Sequence, residues 1–387
     1  MKAKYKTIAF MIILIAVPAV ILVNAYSIRS GFLGLILFGQ DFKSVRLQAV
    51  NMIAPPDNHI SGYDGQFYAQ IALDPLLMSN DTLKSVDYAP ARARRIGLPF
   101  LAFILGVGKP AWILQVYALL NFVFWFLLLA MIYRCVGLRT SKDFLLAISV
   151  LWSTGTLTSL TRSLTDLPAA VLITGAVLFY GHRNFPMSFL GFAALCRETS
   201  VLSFPALIWP DKKQNIRFKQ LATSCLILIG PLAAWLLYVY FRTDRPELVR
   251  AVDNLAFPLA GIIQKLMIVS GGLWDSVMRF NGSGFLMLLN ELICPVSLLV
   301  QSAYFMVKRR WELPVWRAGI GFSVFIYFLG SHAWGQYPAY SRIFLPLTIF
   351  FNLLVRQHEY GRAYIYWYVL GNIGLFGLWI KMFLWNS

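Results

Sequence analysis

The chain has 387 residues, of which 58% are hydrophobic and only 13% charged, with a mean hydropathy of +0.64. Soluble domains carry about 25% charged residues, so this balance excludes an ordinary soluble protein and predicts an all-α polytopic integral membrane protein. The net charge of +17 would suggest nucleic acid in a soluble chain. Here the basic residues are dispersed in short clusters between apolar runs, with no zinc-finger, RRM or helix-turn-helix pattern, so no nucleic-acid partner is expected.

At the N-terminus, Lys2, Lys4 and Lys6 precede an apolar run from about Thr7 to Tyr26. The pattern is that of a signal peptide, and Val23-Asn24-Ala25 offers small-residue cleavage chemistry. The many apolar runs that follow favour an uncleaved signal anchor with a cytoplasmic N-terminus. Further spans are expected at about 111–133, 144–160, 167–181, 221–241, 285–307, 318–334, 343–356 and 363–384. Several fall short of the roughly 20 residues a bilayer requires. The stretch from Phe185 to Trp209 is interrupted by Arg197-Glu198, and burying an adjacent charge pair in a bilayer is costly. Two short helices meeting there are expected. The apolar piece from Arg94 to Gly108 holds Pro99 and is expected to form an interfacial or re-entrant helix. The expectation is one transmembrane domain over 1–387, with about 9–11 transmembrane helices.

An inside N-terminus puts half of the 34 basic residues in short cytoplasmic loops, as the positive-inside rule requires. Most acids then fall outside. Two long extracytoplasmic segments result, 27–110 and 242–284, and long loops on a tight bundle are where function concentrates. The four cysteines, Cys135, Cys196, Cys225 and Cys294, are far apart, have no metal-ligand spacing and read as small core residues.

The first long segment carries Gly62-Tyr63-Asp64-Gly65-Gln66-Phe67-Tyr68. Its glycines permit a tight turn, and Tyr63, Gln66 and Tyr68 are candidates to line a substrate pocket. Asp64 can act as a general base toward a hydroxyl, ligate a divalent cation such as Mg2+ or Mn2+, or cap the helix that follows. The same segment holds Asp57, His59, Asp74, Asp81 and Asp87. Arg92-Ala93-Arg94-Arg95 follows, against the positive-inside rule. These arginines either snorkel to headgroups or bind phosphate, for which the guanidinium fork is suited. Arg197-Glu198 is either a self-satisfied ion pair or part of the same cavity. In the outer stretch from Ser331 to Arg342, His332 and Tyr340 either line an acceptor pocket or belong to an interfacial belt, and Arg342 is another phosphate candidate. No phosphate loop ending in Lys-Ser/Thr, no Gly-x-Ser-x-Gly elbow and no His-Glu-x-x-His is present.

Taken together, the layout resembles the C-type glycosyltransferases, polytopic enzymes that use polyprenyl-phosphate-linked sugars. The residues that carry the resemblance are the Tyr63–Tyr68 motif, Arg94-Arg95-Ile96-Gly97-Leu98-Pro99, and Gly191-Phe192-Ala193-Ala194-Leu195-Cys196-Arg197-Glu198-Thr199. The last is similar to a stretch of the dolichyl-phosphate-mannose and aminoarabinose transferase-like branch. Tyr340-Ser341-Arg342-Ile343-Phe344-Leu345-Pro346 resembles the Arg-x-x-x-Pro start of a late span. Many relatives carry two neighbouring acids in the first loop, whereas Asp64 has none until Asp74, and Arg stands at 197 in place of Lys.

The resemblance implies transfer of a hexose from a polyprenyl-phosphate donor to a glycan, lipid or protein acceptor. The site would lie on the extracytoplasmic face of a bacterial inner membrane, in cell-surface glycan synthesis. Asp64 would be the base, with Arg94, Arg95, Arg197 and Arg342 around the donor phosphate and Glu198 in the pocket. The alternatives are a polysaccharide polymerase or ligase, a lipid-linked glycan flippase, and a non-catalytic assembly subunit.

Overall fold

The structure is a computed structural model, and it describes residues 2–55, 59–180, 185–208, 218–243, 255–279, 282–335 and 337–377. Asp57, Arg183, Lys212, Lys213 and Arg217 lie outside the described residues, as does the end of the last expected span. Among the described residues the regular structure is helical, with isolated β-bridges and no strand. Among the described residues four helices are long and apolar enough to cross a membrane: Lys4–Ala25, Pro110–Val136, Ala222–Arg242 and Gly284–Val307. A fifth crossing is available if Ser141–Leu151 and Thr154–Thr161 act together across a 49° bend. At that bend the Val150 carbonyl accepts from the hydroxyls of Ser153 at 3.1 Å and Thr156 at 2.6 Å, the side-chain substitution that lets a helix break inside an apolar core. The chain is an all-α membrane protein.

The expected interruption at Arg197-Glu198 is present. The Phe185–Cys196 helix stops there, a 3-10 turn runs from Glu198 to Ser203, and a short Pro205–Ile208 helix follows.

The contacts divide the chain into two compact units, where one domain was expected. The first comprises Met1–Gly137, Ser159–Val201 and Ile216–Pro246; the second comprises Leu138–Thr158, Leu202–Asn215 and Glu247–Ser387.

In the first unit the 27–110 segment is a folded layer of short helices rather than an open loop. Its centre is the Gly65–Leu73 helix, whose residues from Gly65 to Ala72 are all buried. Gln66 and Gln70, one turn apart on one face, stitch the surrounding chain to it. Gln66 Oε1 accepts from Gly39 N at 3.0 Å and its amide nitrogen donates to Ser61 O at 3.0 Å. Gln70 accepts from Leu47 N and donates to Ser85 O, both at 2.8 Å. A Gly97–Leu105 helix closes the segment. The Phe218–Arg242 helix reaches back to it: Trp235 Nε1 donates to Ala93 O at 2.8 Å, and Arg242 Nε donates to Leu77 O at 2.7 Å. These bonds satisfy carbonyls of short helices and turns that have no ladder partner of their own.

In the second unit a buried amide cluster joins three helices. Gln301 of Gly282–Val307 donates to Gly371 O at 2.7 Å and accepts from Thr348 at 3.1 Å. Asn352 of Leu345–His358 and Asn372 of Gly361–Asn372 exchange amide hydrogen bonds at 2.9 and 3.0 Å. Buried polar groups satisfied in this way fix the mutual register of apolar helices. The second long segment, 242–284, is not an extended loop over its described part, because residues Ala260–Met278 form a helix.

Candidate functional site

The acidic and basic residues of the first unit meet at the start of the Gly65–Leu73 helix. Gly62 adopts φ +66, a left-handed turn that delivers Asp64 to the helix start. Gly65 packs directly on the Arg162 carbonyl: a Cβ at this position would lie 2.1 Å from that oxygen. Only a glycine permits this approach, and it draws the Arg162-Ser163 turn against the motif, where Arg162 stands over the Tyr63 ring at 5.3 Å.

Asp64 occupies the position before the helix, but its backbone is αR and its side chain makes no capping hydrogen bond. The capping role considered from sequence is therefore replaced by a charge interaction. Arg92 Nη1 lies 3.0 Å from Asp64 Oδ1. The rest of the Arg92 fork is taken by Asp87, with Nε to Oδ1 at 2.9 Å and Nη2 to Oδ2 at 2.8 Å. Phe67 and Tyr68 place their rings under the same guanidinium, at 5.1 and 5.9 Å. Burial opposes the charge on Arg92, but the hydrogen bonds it donates to Asp87 and the charge of Asp64 outweigh it and raise its pKa. Arg92 is thus a fixed cation joining two carboxylates.

Arg95 is tied from the other side. Its Nη1 donates to Tyr68 Oη at 2.9 Å and its Nε to Glu198 Oε2 at 3.3 Å. This contact across 103 positions follows from a second close approach. A Cβ on Gly97 would meet Cys196 Sγ at 2.6 Å and Cys196 N at 2.9 Å, so the turn after Arg95 lies against the end of the Phe185–Cys196 helix. Burial disfavours ionised Glu198, but the charges of Arg95 and Arg197, with a backbone hydrogen bond, hold its carboxyl below the usual range. Arg197 itself forms an ion pair with Asp166, at the start of the Asp166–Leu178 helix. Arg197 and Glu198 are therefore not a self-satisfied pair; each is matched to a residue on another element.

Three of the arginines are thus neutralised by carboxylates. Arg94 is different: it is half-buried and has no ion pair or hydrogen-bond partner among the described residues.

Several expected pocket residues have other work. Gln66 is 1% exposed and both ends of its amide are committed to backbone, so it holds the segment together rather than lining a pocket. Tyr68 is equally buried and presents its hydroxyl to Arg95. Tyr63 and Glu198 remain at the edge of the array. His332, Tyr340 and Arg342 belong to the second unit. His332 is exposed; Tyr340 is fully buried, its ring tilted against that of Trp334 with centroids 5.1 Å apart, which is a core position; Arg342 is buried in the short Ala339–Ile343 helix.

A cation site at Asp64 fits poorly. Asp64 and Asp87 already share the Arg92 guanidinium, and a divalent ion would have to sit beside that charge. Among the described residues no three His, Cys, Asp or Glu side chains are grouped to hold a metal.

Reading the sequence did not single out Arg162 or Asp166, and it noted Asp87 and Arg92 without pairing them with each other or with Asp64. Asp166 had a usable signal, since an acid followed by Pro168 opens a long apolar run. Arg92 had none, because a run of arginines does not say which member faces an acid.

No family model matches the chain, and no curated protein and no solved structure matches it either.

Proposed function

We propose that this protein is a multi-pass membrane glycosyltransferase that moves a hexose from a polyprenyl-phosphate donor to an acceptor hydroxyl. The observation that carries the reading is the juxtaposition of Asp64 with an arginine run whose middle member, Arg94, has no carboxylate partner among the described residues. Asp64 takes the proton of the acceptor hydroxyl. That oxygen attacks the anomeric carbon, and the bond from this carbon to the phosphate oxygen breaks, its electron pair leaving with the phosphate. Arg94 receives the departing phosphate, an electrostatic role, while Arg95 and Arg197, paired with Glu198 and Asp166, hold the surrounding elements in place. A phosphate leaving group needs little acid assistance, which suits a site with one base and several arginines. The reaction is derived without a metal, and it requires only residues of the first unit; Arg342, His332 and Tyr340 are not needed for it.

The same reading takes shorter apolar helices, Asp166–Leu178 and Phe185–Cys196 among them, as further crossings in a bundle of about nine to eleven. It places the N-terminus in the cytoplasm of a bacterial cell and the charge array at the outer face. There the Gly97–Leu105 helix, with Phe100, Ile104 and Leu105 exposed, lies in the interface.

The test is transfer from a radiolabelled polyprenyl-phosphate hexose in vesicles with matched expression. Asp64→Asn should lower transfer by roughly 10²–10⁴-fold, the usual contribution of a general base. Undiminished transfer would remove Asp64 from that role, and movement of intact donor without cleavage would identify a flippase instead.

A further inference from the structure

The second unit carries a basic cluster that the proposed reaction does not use. The turn from His358 to Tyr364 joins two of its helices and is met by charges from both sides. On one side Arg356 pairs with Asp143 at 2.6 Å, and Lys142 stands over the rings of Tyr360 at 5.8 Å and Tyr364 at 4.3 Å. On the other side Lys308 and Arg310 approach the buried Glu359 at 3.5 and 3.9 Å, and Tyr304 bonds the same carboxylate at 3.2 Å. The two buried acids are thereby matched. Arg139, Arg309 and Arg362 are exposed and have no ion pair among the described residues, and Lys142 faces rings only. The surplus positive charge is therefore concentrated around one turn.

The surface beside this turn is apolar. Tyr360 is 71% exposed, and Ile365, Tyr366, Val369 and Leu370 of the Gly361–Asn372 helix, with Ile373 just beyond it, are all exposed. Their spacing puts them on one face. A soluble anion would need the charges but not this face; a phospholipid needs both, its phosphate at the cations and its chains along the apolar stripe. Exposed tyrosines at the junction are the residues that favour the headgroup level.

We propose that Lys142, Arg309 and Arg362, around the His358–Tyr364 turn, form a binding site for the headgroup of an anionic phospholipid, with its acyl chains lying along the exposed face of the Gly361–Asn372 helix. The site is independent of glycosyl transfer.

The test uses the purified full chain in a neutral detergent and follows its thermal unfolding on addition of phosphatidylglycerol, phosphatidylcholine or inorganic phosphate. Phosphatidylglycerol should raise Tm in a saturable way, and the other two should not. A basic residue near an anionic surface contributes about 1 kcal/mol, so each single Gln variant at 142, 309 or 362 should weaken the apparent Kd about fivefold. The variant carrying Lys142→Gln, Arg309→Gln and Arg362→Gln together should weaken it well over tenfold, while Lys142→Arg with Arg309→Lys and Arg362→Lys should keep it. Because none of the three side chains forms an ion pair among the described residues, unfolding without lipid serves as the folding control. If the triple variant fails that control, the single variants decide. Equal stabilisation by phosphatidylcholine, equal stabilisation by inorganic phosphate, or unchanged affinity in the Gln variants would each overturn the proposal.

Discussion

Arg92 stands 3.0 Å from Asp64 while its remaining nitrogens grip Asp87, so the acid at the centre of the Gly-Tyr-Asp-Gly motif is held by a cation rather than by the helix it precedes. The Arg92 guanidinium is committed to these two carboxylates, whereas Arg94 has no ion pair among the described residues.

Loss of Arg92 should therefore act through the carboxylates. Arg92→Gln leaves Asp64 and Asp87 half-buried without their shared cation, and removing one member of a hydrogen-bonded charge set costs about 1–3 kcal/mol where it is partly shielded from water. Arg92→Lys should recover only part of this, because an ammonium cannot reproduce the bidentate grip on Asp87. Thermal unfolding of the solubilised protein at neutral pH checks both variants. Three equal melting curves would show that the bridge contributes nothing to the fold.

Two glycines should respond in opposite directions to alanine. Gly65→Ala forces a methyl to within 2.1 Å of the Arg162 carbonyl, and since backbone must shift the cost should reach about 1–3 kcal/mol. Gly271, inside the Ala260–Met278 helix, has open space where its Cβ would be. Gly271→Ala should stabilise by about 0.5–1 kcal/mol, through lower backbone entropy in the unfolded chain. Denaturant titration of the pair decides it; comparable behaviour of the two variants would contradict the close approach at Gly65.

The Glu198 carboxyl should leave a signature in acid. It faces Arg95 and Arg197, with the Tyr68 hydroxyl accepting from Arg95; burial pushes its pKa up, but the charges of these cations and a backbone hydrogen bond outweigh it and leave the folded pKa below the usual value. A depressed carboxyl stabilises the fold fully above its unfolded pKa, about 4.3, and loses that contribution as pH falls through the lower folded value. The stability gap between the wild-type protein and Glu198→Gln should hold constant from pH 7 to about 5 and close below about pH 4. A gap that grew on acidification would mean that Glu198 is protonated in the fold.

The break at Arg197-Glu198 and the helix around Gly97–Leu105 were legible because the cost of a charge pair in a long apolar run is local. The Gln66 and Gln70 pair shows the opposite. Their spacing placed them on one helix face, but whether that face meets substrate or backbone depends on where residues 37–47 and 61 pass. Similarly, Tyr340 reads like an outer-loop tyrosine by composition, yet it is in the second unit's core against Trp334.

What the sequence by itself determined was the solvent: 58% hydrophobic and 13% charged residues, grouped in long runs, require a membrane, because hydropathy adds up along the chain without reference to distant contacts. It also marked Asp64 and the Arg92–Arg95 run as charges in search of a reason. Only the tertiary structure decided the pairing, Arg92 with Asp64 and Asp87, Arg95 with Glu198, Arg197 with Asp166. Ion pairs form over a few ångströms of space, and two glycines that admit close backbone approach, Gly65 and Gly97, bring these partners from distant parts of the chain within that range.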